Sequence, residues 1–229
     1  MKTPFKMART MRGAYTEPEA WFYDRVIEPA IEAFHLALLD RLIADVAPDA
    51  AVCDVGCGGG QLLLAIAARR PDLKLTGIDL NPGQIRRARG RARRAGVDID
   101  FRIGSADDLP LDDASQHEVI SVASIKHWPD PTAGLRDCLR VLRPGGRLRV
   151  IEVDRGCHLA DARAFVSGFR VPAPLREVAT ALFRTYVAGQ SYDLLEMREL
   201  ARQIADQGDC TVERLAGTPA WMLEGRRNA

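Results

Sequence analysis

The feature that most constrains this chain is CDVGCGGGQLLLAIAARR, from Cys53 to Arg70. A short apolar run, Ala51 to Val55, gives way to glycines and then to leucines and alanines at helical spacing. The run reads as a strand and the segment from about Gln61 as a helix. Glycine tolerates positive φ and lets a backbone approach closely. Strand, glycine loop and helix therefore bring main-chain N–H groups, at a helix N-terminus, up to the polar head of a bound cofactor. The loop alone leaves open which cofactor.

The rest of the chain narrows the fold. PEAWFYDRVIEPAIEAFHLALLDRLIADVAP places Ile31, Phe34, Leu38, Leu42 and Val46 on one helical face, and Pro48 ends the pattern. Four strand-like runs follow the first: LKLTGIDL, DIDFRIG, HEVISVASI and, after the turn RPGG, RLRVIEV. Helices are expected from about Pro82 to Ala95 and from Thr132 to Leu142. Alternating strands and helices predict a parallel sheet covered on both faces. The expected class is α/β: a Rossmann-like, doubly wound, mostly parallel seven-stranded sheet with an antiparallel last strand, plus a helical cap. Residues 1–48 are expected to be an N-terminal helical segment that closes over the cofactor, and 49–154 the cofactor-binding core. Residues 155–206 read as a helical substrate cap, and 207–229 as a terminal hairpin completing the sheet.

Composition sets the outer limits. At 229 residues and 47% hydrophobic the chain buries a substantial core. Lys+Arg 32 against Asp+Glu 31 gives a net charge of +1, which calls for neither nucleic acid nor an anionic membrane. The arginine-rich run QIRRARGRARRAG reads as a solvated helix face, so nucleic acid is not expected as a partner. No window has the apolar length of a membrane span. The N-terminus is basic but lacks the apolar stretch of a secretory signal. Five scattered cysteines without a CxxC pair fit reduced thiols, so a cytoplasmic location and no metal site are expected.

The loop's spacing decides among cofactors. A dinucleotide fingerprint requires a small residue where Gln61 or Leu63 stands, and a phosphate-binding Walker loop requires a Gly-Lys-Ser/Thr that is absent. What remains is Asp54-x-Gly56-x-Gly58-x-Gly60. With GIDLN (77–81), GSADDLPL (104–111), SIKHWPDP (124–131) and VLRPGGRL (141–148) following in order, residues from about Val52 to Ile151 resemble the class I S-adenosylmethionine (SAM)-dependent methyltransferases. The likeness is to the branch holding ubiquinone and menaquinone biosynthesis enzymes and many small-molecule methyltransferases.

That resemblance implies SAM as cofactor and S-adenosylhomocysteine (SAH) as product. It implies that Gly56, Cys57, Gly58 and Gly60 present backbone to the methionyl end, and that Asp54 helps hold the ammonium. Asp79 accepts the ribose hydroxyls and Leu80 lies against adenine. Ser105, Ala106 and Asp107 form the adenine loop, Ala123 and Ser124 line the end of the fourth strand, and Tyr23 closes over the cofactor. Gly104-Ser105-Ala106 departs from the family's usual Gly-Asp-Ala, replacing a charge-assisted contact with a hydroxyl.

Methyl transfer from a sulfonium needs alignment first, and a base only when the acceptor arrives protonated. His127, His158, Asp154 and Glu152, all near strand ends, are the candidate bases. The expected activity is methyl transfer to an O, N or C nucleophile of a small, partly apolar metabolite, by a monomer or homodimer. RNA or protein methylation on the same fold, and a non-catalytic SAM-binding regulator, stay open beside it.

Overall fold

The computed structural model describes the backbone of residues 28–228 and the side chains of residues 33–228. Seven strands are present: β1 (Ala51–Val55), β2 (Lys74–Asp79), β3 (Asp100–Ile103), β4 (Gln116–Val122), β5 (Leu142–Val153), β6 (Gly208–Arg214) and β7 (Ala220–Arg227). The helices are α1 (Glu28–Ile43), α2 (Gln61–Arg69), α3 (Pro82–Ala95), α4 (Pro131–Val141), α5 (Leu159–Ser167), α6 (Arg176–Leu182) and α7 (Leu194–Gln203). The strands form one sheet in the order β3-β2-β1-β4-β5-β7-β6. β7 alone runs antiparallel to its neighbours, between β5 and β6. Strand order reverses between β1 and β4, so their carboxyl ends open the crevice in which such sheets bind ligands.

Local sequence explains the elements. β1 and β4 are buried almost end to end, as parallel strands covered on both faces must be. Asn81 caps α3 by accepting from Gly83 N at 2.7 Å, Pro82 opens its first turn, and Gly96 closes it in the left-handed region. Asp130 caps α4 through Thr132 N and Ala133 N, and Asp193 with Glu196 forms a capping box on α7. On one sheet face Leu38, Leu42, Leu63, Ile66 and Ile85 pack on Phe101, Ile120 and Ile151. On the other, Leu135, Leu139, Met197 and Ala201 pack on Val119, Val150, Trp221 and Leu223.

Two local expectations change. RPGG is not a turn preceding β5 but an irregularity within it: the ladder with β4 jumps from Gln116↔Leu142 to Glu118↔Arg147. The stretch 155–206 is not one cap either. Met197, Ala201 and Ile204 recur at helical spacing and join the core beneath Trp221, so α7 covers the sheet. Residues 155–192 remain as a separate layer around Cys157, Ala162, Val166, Phe169, Phe183 and Ala188. Phe34 of α1 meets Phe165 of that layer edge-on, at 5.9 Å between ring centroids.

Buried charge ties α1 to the sheet. Arg147 and Arg149 of β5 flank Glu118 of β4 at 2.7 and 3.2 Å, and all three are buried. Their guanidiniums also donate to the Asp45 and Leu42 carbonyls, at 2.7 and 3.1 Å. The Leu42 carbonyl lies in the last turn of α1, where no intrahelical donor remains, and Asp45 lies just past it. Burial pushes the Glu118 carboxyl up, and the two arginines oppose that. Glu118→Ala removes the buried anion that Arg147 and Arg149 share and leaves each with a more exposed carboxylate, Asp45 or Glu224, and the expected loss is about 3–5 kcal/mol in denaturant unfolding. An unchanged midpoint would contradict this role.

Candidate functional site

The glycine loop lies across the end of β2. Gly56 N and Cys57 N both donate to the Ile78 carbonyl, at 2.8 and 3.0 Å, and Gly60 N donates to Cys57 O at 2.9 Å. Gly56, Gly58 and Gly60 all have positive φ, at 77°, 52° and 79°. Two of the three also lack space for a side chain. A Cβ on Gly56 would overlap the Ser124 hydroxymethyl, and one on Gly60 would come within 2.8 Å of the Phe101 ring. Gly58 differs: nothing lies within 4 Å of its missing Cβ. The loop is therefore closed against the protein at Gly56 and Gly60 and open at Gly58.

Asp79, half-buried at the end of β2, spans the loop and the next turn. Its Oδ2 accepts from Gly58 N at 2.9 Å and its Oδ1 from Asn81 N at 2.8 Å. Leu80 beside it is 60% exposed, and Ile103, paired in register with Asp79, is 52% exposed. Two large apolar side chains left in water at adjacent strand ends form a surface suited to a flat apolar ring. The next loop is held by Arg140, which donates to the Leu109 and Leu111 carbonyls and pairs with Asp137 and Asp113. Within that loop the Ser105 hydroxyl donates to the Asp107 carboxylate, and Ala106 is buried.

The comparisons with known proteins agree with this geometry. Residues 52–146 match the family model described as a methyltransferase domain. A SAM-dependent methyltransferase from Aquifex aeolicus superposes with a TM-score of 0.67, at 14% identity, over 93% of this chain and 100% of that one. The matched region resembles a methyltransferase domain, and the whole chain shares the fold of a SAM-dependent methyltransferase. The plantazolicin methyltransferase BpumL, solved with a desmethyl substrate analogue and SAH, shares the fold at a TM-score of 0.66 and 14% identity, over 99% of this chain and 91% of that one. The ubiquinone biosynthesis O-methyltransferase of Xanthomonas axonopodis pv. citri is 35% identical over 137 residues, 59% of this chain and 56% of that protein. The chain thus spans about half the length of the curated relatives it matches.

The other expected residues fall as follows. Ala123 directly follows β4 at φ 58°, a left-handed conformation that is strained for alanine. The Ser124 hydroxyl donates to Val55 O at 2.9 Å, accepts from Trp128 Nε1 at 2.9 Å and shares a bond with Ser121 at 2.8 Å. It is committed to the protein and braces the glycine loop. The Cys57 thiol is buried, and burial first, then the Asp54 charge, pushes it well above its ordinary range. Tyr23 lies outside the described residues.

The candidate bases separate sharply. Asp154 is engaged at both oxygens: Arg214 Nε donates to its Oδ2 at 2.7 Å and Gly156 N to its Oδ1 at 2.7 Å, so it fastens the segment after β5 to β6. Salt-bridged and hydrogen-bonded at both oxygens, it is a structural anchor. His127 and His158 are exposed. Glu152 is 1% exposed and pairs with Lys126 at 2.8 Å. Sequence reasoning missed Ile103 and Lys126. A large apolar residue closing a strand on the β2 side was the available signal for Ile103; Lys126 had none.

Asp54 is buried behind the loop, and burial, then the neighbouring Asp79, pushes its carboxyl up to about 8. Between its ordinary value and 8 the folded protein holds a proton that the unfolded chain has released. Stability therefore falls as pH rises through this window. In urea unfolding at pH 5 and pH 8.5, wild type is expected to lose on the order of a few kcal/mol more than Asp54→Asn, which cannot titrate. Equal losses in both proteins would show that Asp54 is ionised throughout.

Proposed function

We propose that this chain is a SAM-dependent methyltransferase that transfers a methyl group to an oxygen of a small, partly apolar metabolite in the cytoplasm. The observation that carries it is the open glycine loop with the Asp79 carboxylate bound across Gly58 and Asn81. These residues fit the cofactor. Gly58 leaves room for a methionyl group, the α2 N-terminus presents backbone N–H groups toward its carboxylate, and Asp54 is placed to take its ammonium. Asp79 would exchange its loop contacts for ribose hydroxyls, with Leu80 and Ile103 against adenine. Bound there, SAM supplies a methyl group already activated by its sulfonium. The protein's task is then to align the acceptor and exclude water.

Oxygen as acceptor is supported by the 35% identical relative, which is named a ubiquinone biosynthesis O-methyltransferase. An acceptor with an apolar portion is supported by the cap, where Leu175, Val178, Leu182 and Tyr186 recur at helical spacing and stand exposed. Cytoplasmic location is supported by five free cysteines, and among the described residues no helix is long and apolar enough to cross a membrane. The basic face of α3 is read as solvated, so nucleic acid is not a proposed partner.

Incubation with methyl-labelled SAM and a panel of hydroxylated and aminated aromatic acceptors tests the proposal. Label should appear on hydroxyl oxygens, as a mass gain of one methyl group that alkaline phenol-specific reagents no longer detect. Transfer only to amines would refute oxygen as acceptor. SAH binding without transfer to any acceptor would point to a regulator.

A further inference from the structure

Among the described residues, Glu152 is a buried acid near the crevice that the fold leaves half satisfied. It stands one residue before the end of β5 and is 1% exposed. Its Oε1 accepts from Lys126 Nζ at 2.8 Å and from Val153 N at 2.8 Å. Its Oε2 is buried with no hydrogen-bond partner among the described residues. A buried polar atom without a partner costs about 1–3 kcal/mol, and more when charged, so its retention asks for a reason.

Location supplies one. Lys126 lies in the short turn Ile125–His127 directly after Ser124, whose hydroxymethyl abuts Gly56 of the cofactor loop. β4 and β5 are parallel neighbours, so Lys126 and Glu152 meet at their carboxyl ends, under the segment that begins the cap. A hydroxyl brought to these strand ends would supply the donor that Glu152 Oε2 lacks, beside the Lys126 ammonium that donates.

We propose that Glu152 and Lys126 are the acceptor-activating pair, and that they select a weakly acidic hydroxyl of phenol or catechol type. This deepens the proposed methyl transfer and rests on it. The acceptor O–H donates to Glu152 Oε2 and passes its proton there. The Lys126 Nζ steadies the oxygen as it gains negative charge. That oxygen's electron pair forms the new bond to the methyl carbon, and the pair of the broken carbon–sulfur bond stays on sulfur. The proton leaves Glu152 for solvent once the ether has gone. A protonated amine would meet the Lys126 ammonium at the same carboxylate, so the pair disfavours cationic acceptors.

The probe is 4-nitrocatechol, whose colour reports ionisation, titrated into SAH-loaded wild type, Glu152→Gln, Lys126→Met and the double variant. Glutamine keeps a bond to Lys126 but puts an amide donor where Oε2 accepts. It should weaken probe binding by about ten-fold or more. Lys126→Met should raise the bound probe's phenolic pKa by about one to three. The double variant, neutral and of similar shape, should show both losses. SAH affinity should change little in all three, which a merely structural role for the pair would not allow. The proposal is overturned if SAH-loaded wild type ignores the probe, or if the variants bind and ionise it as wild type does. Failure of wild type to bind SAH would remove the methyltransferase proposal itself, an outcome separate from these.

Discussion

The cofactor end of this molecule depends on one acceptor, the carbonyl of Ile78. Two successive loop donors, Gly56 N and Cys57 N, converge on it. That double bond folds the chain leaving β1 back over β2, and only residues tolerant of positive φ can follow the path. Once it is taken, Gly58 N is within reach of Asp79, and α2 begins with its N-terminus at the crevice. Ser124 closes the arrangement from β4, with Gly56 too near for any side chain. The loop is thus fixed from both neighbouring strands before any ligand arrives, which reduces the ordering cost of binding.

The same sheet carries its charges in two ways. At the α1 end, Glu118, Arg147 and Arg149 are satisfied on nearly every side and serve architecture. At the crevice end, Asp54 is buried beside a second acid, Asp79, and the buried Glu152 is missing a donor. Buried polar groups left incomplete are expected at functional sites, where binding completes them. The contrast between two ends of one sheet is the physical reason to place chemistry at the carboxyl ends of β1, β4 and β5.

Legibility followed the range of each interaction. α3 could be read to its last residue because Asn81, Pro82 and Gly96 punctuate it locally. The glycine loop and Asp79 were visible because their spacing is nearly fixed by one strand–loop–helix–strand unit. α7 was misassigned to the cap because its apolar stripe fits any partner, and only the distant Trp221 gives it one. Asp154 looked available from its strand-end position, yet Arg214, sixty residues on, satisfies it. Lys126 and Glu152 are twenty-six residues apart with no local pattern joining them, so their pairing is a product of the sheet register. Contacts made across the sheet are what a linear pattern cannot display.

The central claim is that the open glycine loop and Asp79 hold SAH and its methylated parent. Calorimetric titration of SAH, with NAD as the competing nucleotide, into wild type and Asp79→Ala tests it most directly. Saturable SAH binding by wild type, lost or weakened by about a hundred-fold in Asp79→Ala, with no heat from NAD, is the predicted result. NAD binding in place of SAH, or SAH binding indifferent to Asp79, would contradict it.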